Sequence, residues 1–263
     1  MDVESKKQQH FLLVHGICHG AWCWYELVTK LRDDGYRVTA LDMAAAGANP
    51  KRVEELRSFS DYCQPLLEFM TDLPQGEKVV LVGHSMGGAC ISLAMEKFPH
   101  KIAVAVFLTA LMPGPNLPLA TVMEEANKAV GSFGDTQYFY GNGSDNPPTS
   151  YVLGPKFLAT NLYQLSPTKY WTLATFAVRP TSEFVGSDLS KEVALSKENY
   201  GSIRRVFVHI EQDKAVKPEI QKWMIENNPP DEVNTIAGAD HMVMFSKVDD
   251  LSAFLQEIAL KYC

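Results

Sequence analysis

Residues 78–97 read Lys78-Val79-Val80-Leu81-Val82-Gly83-His84-Ser85-Met86-Gly87-Gly88-Ala89-Cys90-Ile91-Ser92-Leu93-Ala94-Met95-Glu96-Lys97. A β-branched, apolar run ends in Gly-His-Ser-Met-Gly-Gly, and a helix-forming segment follows at once. Strand, tight turn and helix is the setting in which a serine with glycines two residues to either side becomes a nucleophile. A residue presented on such a turn takes a strained backbone conformation, and side chains at positions 83 and 87 would collide. Gly83 and Gly87 remove that conflict. The turn also aims the first N–H groups of the new helix at the reacting centre, where they favour developing negative charge. A bare Gly-x-Ser-x-Gly match carries little weight; in this context it makes Ser85 the candidate nucleophile.

Outward from this stretch, Phe11-Leu12-Leu13-Val14, Tyr36 to Leu41, Ala103 to Leu108, Arg204 to Ile210 and Glu232 to Ile236 also have strand character. Several are apolar nearly throughout, which suits strands buried on both faces of a parallel sheet. Helical patterns lie between them, the clearest being the stripe Leu251, Phe254, Leu255, Ile258. This alternation implies an α/β fold with a doubly wound, mostly parallel sheet. It lapses between about Met112 and Val185, where Pro113-Gly114-Pro115, a Gly141 to Pro148 loop and scattered aromatics such as Phe133, Tyr138 and Tyr151 show no strand periodicity. The reading is a core of residues 1–111 and 186–263 and an inserted, mostly helical cap over 112–185.

With 46% hydrophobic and 21% charged residues in 263, the chain can fill a large core and is not disordered. A net charge of −7 argues against a nucleic-acid groove or a polybasic membrane surface, since both need clustered Lys and Arg. The longest uncharged, mainly apolar stretch, Ile102 to Met112, is too short to cross a bilayer. Met1 to His10 is polar with no apolar h-region, so no secretory signal is expected. Cys18, Cys23, Cys63, Cys90 and Cys263 are odd in number and unpaired in spacing, which suits reduced thiols and a cytoplasmic location.

A serine at its ordinary pKa is a poor nucleophile, so a base must take its proton. Behind nucleophiles of this type the acid comes next in the chain and the histidine last. His241 fits the last place, in Ala237-Gly238-Ala239-Asp240-His241-Met242 after the final strand. Three carboxylates lie near strand ends. Asp213 has room for a turn after Arg204 to Ile210 and fits best; Glu211 is nearer the strand, and Asp240, adjacent to His241, is poorly placed to face it. The oxyanion needs two N–H donors, assigned to Met86 and to Ile17 in the His15-Gly16-Ile17-Cys18-His19-Gly20 loop after the first strand. Gly16 lets that loop approach the substrate. His15 and His19 lack a third ligand, so no metal is expected and they are read as holding the loop.

Val14-His15-Gly16-Ile17-Cys18-His19-Gly20-Ala21-Trp22, Val38-Thr39-Ala40-Leu41-Asp42, Gly83 to Gly88, Leu93-Ala94-Met95-Glu96, Gly154-Pro155-Lys156-Phe157 and Gly238-Ala239-Asp240-His241-Met242 together resemble the plant methylesterase branch of the α/β-hydrolases. That branch includes salicylate and jasmonate methylesterases and polyneuridine aldehyde esterase, with hydroxynitrile lyases and methylketone synthase as relatives. The resemblance covers essentially the whole chain. It implies an α/β-hydrolase fold, a Ser85, Asp213, His241 triad, Ile17 and Met86 as oxyanion donors, and a cofactor-free serine esterase acting on methyl esters of small metabolites. Gly16, His19, Met112 and Phe133 are the expected substrate contacts, and homodimers are common in the group.

Departures sort the relatives. Hydroxynitrile lyases of this group carry Thr, Glu and Lys where this chain has Gly16, His84 and Met242. Methylketone synthase lacks the nucleophilic serine and the triad aspartate, both present here. Salicylate esterases usually hold Trp where this chain has Phe133. Two rival functions remain on the sequence alone: a receptor that keeps the hydrolase shell without turnover, and a lyase or decarboxylase using the same pocket.

Overall fold

The computed structural model describes residues 9–184 and 188–263. In chain order its strands are β1 (His10–Val14), β2 (Arg37–Leu41), β3 (Val79–His84), β4 (Ile102–Leu108), β5 (Gln137–Phe139), β6 (Ser150–Val152), β7 (Thr181–Ser182), β8 (Arg205–His209) and β9 (Glu232–Thr235). The longer helices are α1 (Tyr25–Asp33), α2 (Phe59–Asp72), α3 (Gly87–Lys97), α4 (Leu119–Val130), α5 (Thr168–Ala177), α6 (Pro218–Asn227) and α7 (Val248–Tyr262). Six strands form one parallel sheet in the order β2-β1-β3-β4-β8-β9. Every strand expected from the sequence forms, with its ends moved by a residue or two.

Both faces of this sheet are covered, which is why its strands read as continuous apolar runs. Leu12 and Val14 of β1 and Val79 and Leu81 of β3 belong to one core cluster; Phe11, Leu13, Val80 and Val82, the alternate residues, belong to the other. Helices α2, α3 and α6 close the first face with Phe59, Leu66, Ile91 and Met224. Helices α1 and α7 close the second with Leu27, Leu31, Leu251 and Leu255, all wholly buried. Each such leucine contributes about 2 kcal/mol of burial. Helix α2 starts cleanly because the Ser58 side chain accepts from the Asp61 N–H at 3.0 Å.

The chain runs from β1 to β2 on one side, then returns to β3 on the other, so a crevice opens beyond the carboxyl ends of β1 and β3. Between β4 and β8 it leaves the sheet. This segment holds α4, α5 and shorter helices, and it also holds an antiparallel sheet in the order β5-β6-β7, which the reading of a mostly helical insertion did not include. These strands are two or three residues long, too short to display a period of two. Tyr138 pairs with Tyr151, and Tyr151 with Thr181, so the three share one face of the small sheet. Arg179 ties the insertion to the larger body: its N–H donates to the Cys18 carbonyl, and its guanidinium donates to the carbonyls of Gly47, Asn49 and Lys51.

The expected boundary at 185/186 lies outside the described residues, as does most of the N-terminal stretch read for a signal. All five thiols are free and only Cys263 is exposed. Among the described residues no helix is long and apolar enough to cross a membrane.

Candidate active site

Ser85 sits just past the end of β3 with φ of 56°, in the left-handed region that a side chain rarely adopts. The glycines beside it are required sterically. A Cβ on Gly83 would lie 2.7 Å from the Gly87 carbonyl oxygen, and one on Gly87 would lie 2.5 Å from that of Val14. The Ser85 carbonyl accepts from Gly88 N–H at 3.0 Å and Leu111 N–H at 2.9 Å, which fixes the turn. Holding a serine in this conformation costs on the order of 1–3 kcal/mol, offset by these bonds and the packing of α3.

The loop after β1 presses against the serine: a Cβ on Gly16 would fall 2.7 Å from Ser85 Cβ. Two buried histidines hold this loop. His15 Nδ1 donates to the Gly16 carbonyl at 2.7 Å while its Nε2 accepts from Met43 N–H at 3.1 Å. His19 Nδ1 donates to the Ile17 carbonyl at 2.8 Å while its Nε2 accepts from the Tyr163 hydroxyl at 2.7 Å. Each ring uses one nitrogen as donor and the other as acceptor, so both are neutral. Burial lowers both pKa values, that of His19 to about 3. The backbone N–H groups of Ile17 and Met86 donate to no acceptor among the described residues. They are two open donors on residues beside Ser85, the kind of pair that an oxyanion would require.

The candidate base, His241, and the candidate orienting acid, Asp213, come from loops after β9 and β8. His241 Nδ1 donates to Asp213 Oδ2 at 2.7 Å, with both side chains buried. This fixes the proton on Nδ1 and leaves Nε2 as the basic nitrogen. Asp213 is fully engaged. Its Oδ1 accepts from the N–H groups of Ala215 (2.7 Å) and Val216 (2.9 Å), and its Oδ2 accepts a second bond from the Thr109 hydroxyl. Thr109, just past β4, has φ of 38°, another strained residue at this edge of the sheet. His84 packs its ring 4.5 Å from that of His241 and donates from Nε2 to the His241 carbonyl at 2.8 Å. Burial, then the neighbouring His241, hold the His84 pKa well below its usual value.

Ser85, His241, Ile17 and Met86 meet at one cavity of about 870 Å³ of empty space, its open mouth included. Its walls are largely apolar, with Phe133, Phe157, Leu153 and Met123 among them. A serine, a histidine whose tautomer leaves Nε2 open and two residues with unpartnered N–H groups line one apolar chamber, an arrangement suited to acyl transfer.

A family model for the alpha/beta hydrolase fold matches residues 9–248. The chain belongs to the α/β-hydrolases. Within them it is similar to methyl jasmonate esterase 1 of Vitis vinifera, with 55% identity over 98% of this chain and 99% of that protein. It is also 47% identical to norfluorocurarine synthase 2 of a Strychnos species, over 99% of each. Among solved structures, tomato methylketone synthase I complexed with 2-tridecanone superposes with a TM-score of 0.93 at 52% identity, covering 97% of this chain and 99% of that one. These likenesses set it in the plant methylesterase branch of the family.

In this α/β-hydrolase the residues singled out from sequence divide by position. Ser85, His241, Ile17, Met86 and Phe133 line the cavity, and Asp213 stands behind His241. Gly16 abuts Ser85, and His19 lies behind the loop rather than on the wall. Met112 corrects an expectation. It is wholly buried in the core, its N–H directed at Met224 Sδ at 3.3 Å, and its neighbour Leu111 faces the cavity instead. Of the carboxylates weighed against Asp213, Asp240 accepts from the N–H groups of Leu165, Ser166 and Met242 and from the Ser166 hydroxyl, and so serves the backbone. Sequence reasoning passed over Thr109 and Glu183, and named Tyr138 and Tyr151 only among the cap aromatics. The two tyrosines reach the cavity on strands too short to recognise and Glu183 just after such a strand, while Thr109 carries no signal beyond its place after β4.

Proposed function

We propose that this protein is a serine carboxylesterase that hydrolyses methyl esters of small, largely apolar plant metabolites. The observation that carries the reading is the buried Asp213–His241 hydrogen bond at the cavity that Ser85, Ile17 and Met86 also line, the last two with unpartnered N–H groups among the described residues. Ser85 Oγ attacks the ester carbonyl while His241 Nε2 takes its proton, and Asp213 steadies the imidazolium. The oxyanion is received by the Ile17 and Met86 N–H groups. His241 returns the proton to departing methanol. Water then repeats the sequence on the acyl-enzyme, with no cofactor or metal called for. Residues 112–185 act as the cap that shapes the acyl pocket, and the enzyme works in the cytoplasm.

The methyl jasmonate esterase and norfluorocurarine synthase among its relatives support small-molecule esters of the hormone or alkaloid type as substrates. The cyanide-releasing alternative has less support. Met242, where the lyases carry Lys, is wholly buried and offers no charge to a leaving anion.

The test is Ser85→Ala. With a panel of methyl esters and methanol release as readout, the variant should lose several orders of magnitude in kcat with folding retained, because nucleophile, base and acid act as a unit. Turnover near the wild-type rate would exclude Ser85 as the nucleophile. Tight binding of an ester without turnover by the wild-type protein would favour a receptor.

A further inference from the structure

Among the described residues, the cavity wall carries one carboxylate, and ester cleavage does not use it. Glu183 follows β7, half-buried, and its side chain makes no hydrogen bond or ion pair with any described residue. No Lys or Arg lines the cavity among the described residues, so nothing there neutralises it. Burial raises its carboxyl above the usual carboxylate range, the cost of holding a charge at a partly dry wall.

Its surroundings are aromatic. The Glu183 N–H donates to the Thr149 carbonyl, continuing the β6–β7 register by one pair, which turns Glu183 to the same side as Tyr138, Tyr151 and Thr181. The Tyr151 ring lies tilted, 5.9 Å from that of Tyr138 and 6.3 Å from that of Phe133, and all three residues line the cavity. Both phenol hydroxyls lack a hydrogen-bond partner among the described residues. A carboxylate and aromatic rings lining one cavity is the chemistry that receives an organic cation: the carboxylate supplies charge, and a ring face supplies a negative surface.

We propose that Glu183, with Tyr138 and Tyr151, forms a cation subsite in the acyl pocket, selecting methyl esters whose acid portion carries a protonated amine. The inference rests on the esterase reading for its substrate but not for its binding.

The experiment uses a matched pair, the methyl ester of piperidinyl-butanoic acid, protonated at neutral pH, and that of cyclohexyl-butanoic acid, its uncharged isostere. The wild-type enzyme should prefer the cationic ester. Glu183→Gln should lower the ratio of the two kcat/KM values at least about tenfold, through KM of the cationic ester, as expected for loss of a charged contact. In parallel, N-butylpiperidinium binding to the Ser85→Ala protein is followed by calorimetry, with and without Glu183→Gln. Both esters cleaved with a ratio unmoved by Glu183→Gln would overturn the subsite and leave the esterase reading intact. Neither ester cleaved, with the cation still bound in a Glu183-dependent way, would uphold the subsite and overturn the esterase reading.

Discussion

Replacing Asp213 by Asn tests how the imidazole is held, and the structure dictates the outcome. Oδ1 of Asp213 accepts from the backbone N–H groups of Ala215 and Val216, donors that cannot reverse their polarity. The amide introduced by Asp213→Asn therefore keeps its oxygen at that place and turns its NH2 toward His241 and Thr109. The Thr109 hydroxyl can rotate and accept. His241 Nδ1 can accept only if its proton moves to Nε2, the nitrogen meant to serve Ser85. The hydrogen-bond count survives, so folding survives, but the base is in the wrong tautomer. The expected loss in kcat is about ten-thousandfold, or about 5 kcal/mol of transition-state stabilisation. KM should move little, because the cavity wall is unchanged. The assay is steady-state methanol release from a good ester, with a melting curve to establish folding. A kcat within about tenfold of wild type would refute the claim that Asp213 sets the tautomer.

Other expectations follow from the same edge of the sheet. Thr109→Val removes a donor from a buried carboxylate at nearly constant shape. It should cost about 1–2 kcal/mol in urea unfolding and lower kcat, with Thr109→Ser restoring most of both. Gly16→Ala would bring a methyl to 2.7 Å from Ser85 Cβ, displacing the loop that carries Ile17 N–H. A fall in kcat of about a hundredfold, in a folded protein, is the expected readout. Acid should destabilise the fold well above the range where carboxylates titrate. His15, His19 and His84 have folded pKa values below 6.5, so the unfolded chain takes up protons that the native state refuses. Their stabilisation is complete above that value and is lost as pH falls toward the folded pKa. For His19, with a folded value of about 3, the loss between pH 7 and pH 5 is about 2 kcal/mol. Chemical denaturation at those pH values measures it, and equal stability at both would contradict the neutral-histidine account.

The legible part of this protein was what physics forces to be repetitive or sterically exceptional. Strands such as Phe11 to Val14 are apolar on both sides because helices cover both faces, and that left an unbroken signature. The Gly83-x-Ser85-x-Gly87 turn was legible because nothing but hydrogen fits at its flanking positions. The final histidine loop followed from order along the chain. Past the strand ends, legibility failed. Nothing in Leu111-Met112 shows that the first side chain faces the cavity and the second the core; that depends on how the chain turns after Thr109, at φ of 38°. Likewise β5 to β7 are held by pairing with one another rather than by a buried alternating face. Tyr138, Tyr151 and Glu183 therefore looked like loop residues.

The small antiparallel sheet shares no strand with the six-stranded one. The candidate nucleophile, base and acid hang from the ends of the large sheet, whereas Tyr138, Tyr151 and Glu183 reach the cavity from the small one. On the proposed function, a mutation among the short strands can therefore retune which acid is accepted without disturbing Ser85, His241 and Asp213. Selection could then diversify taste and keep chemistry constant, one scaffold yielding many esterases by editing a handful of positions.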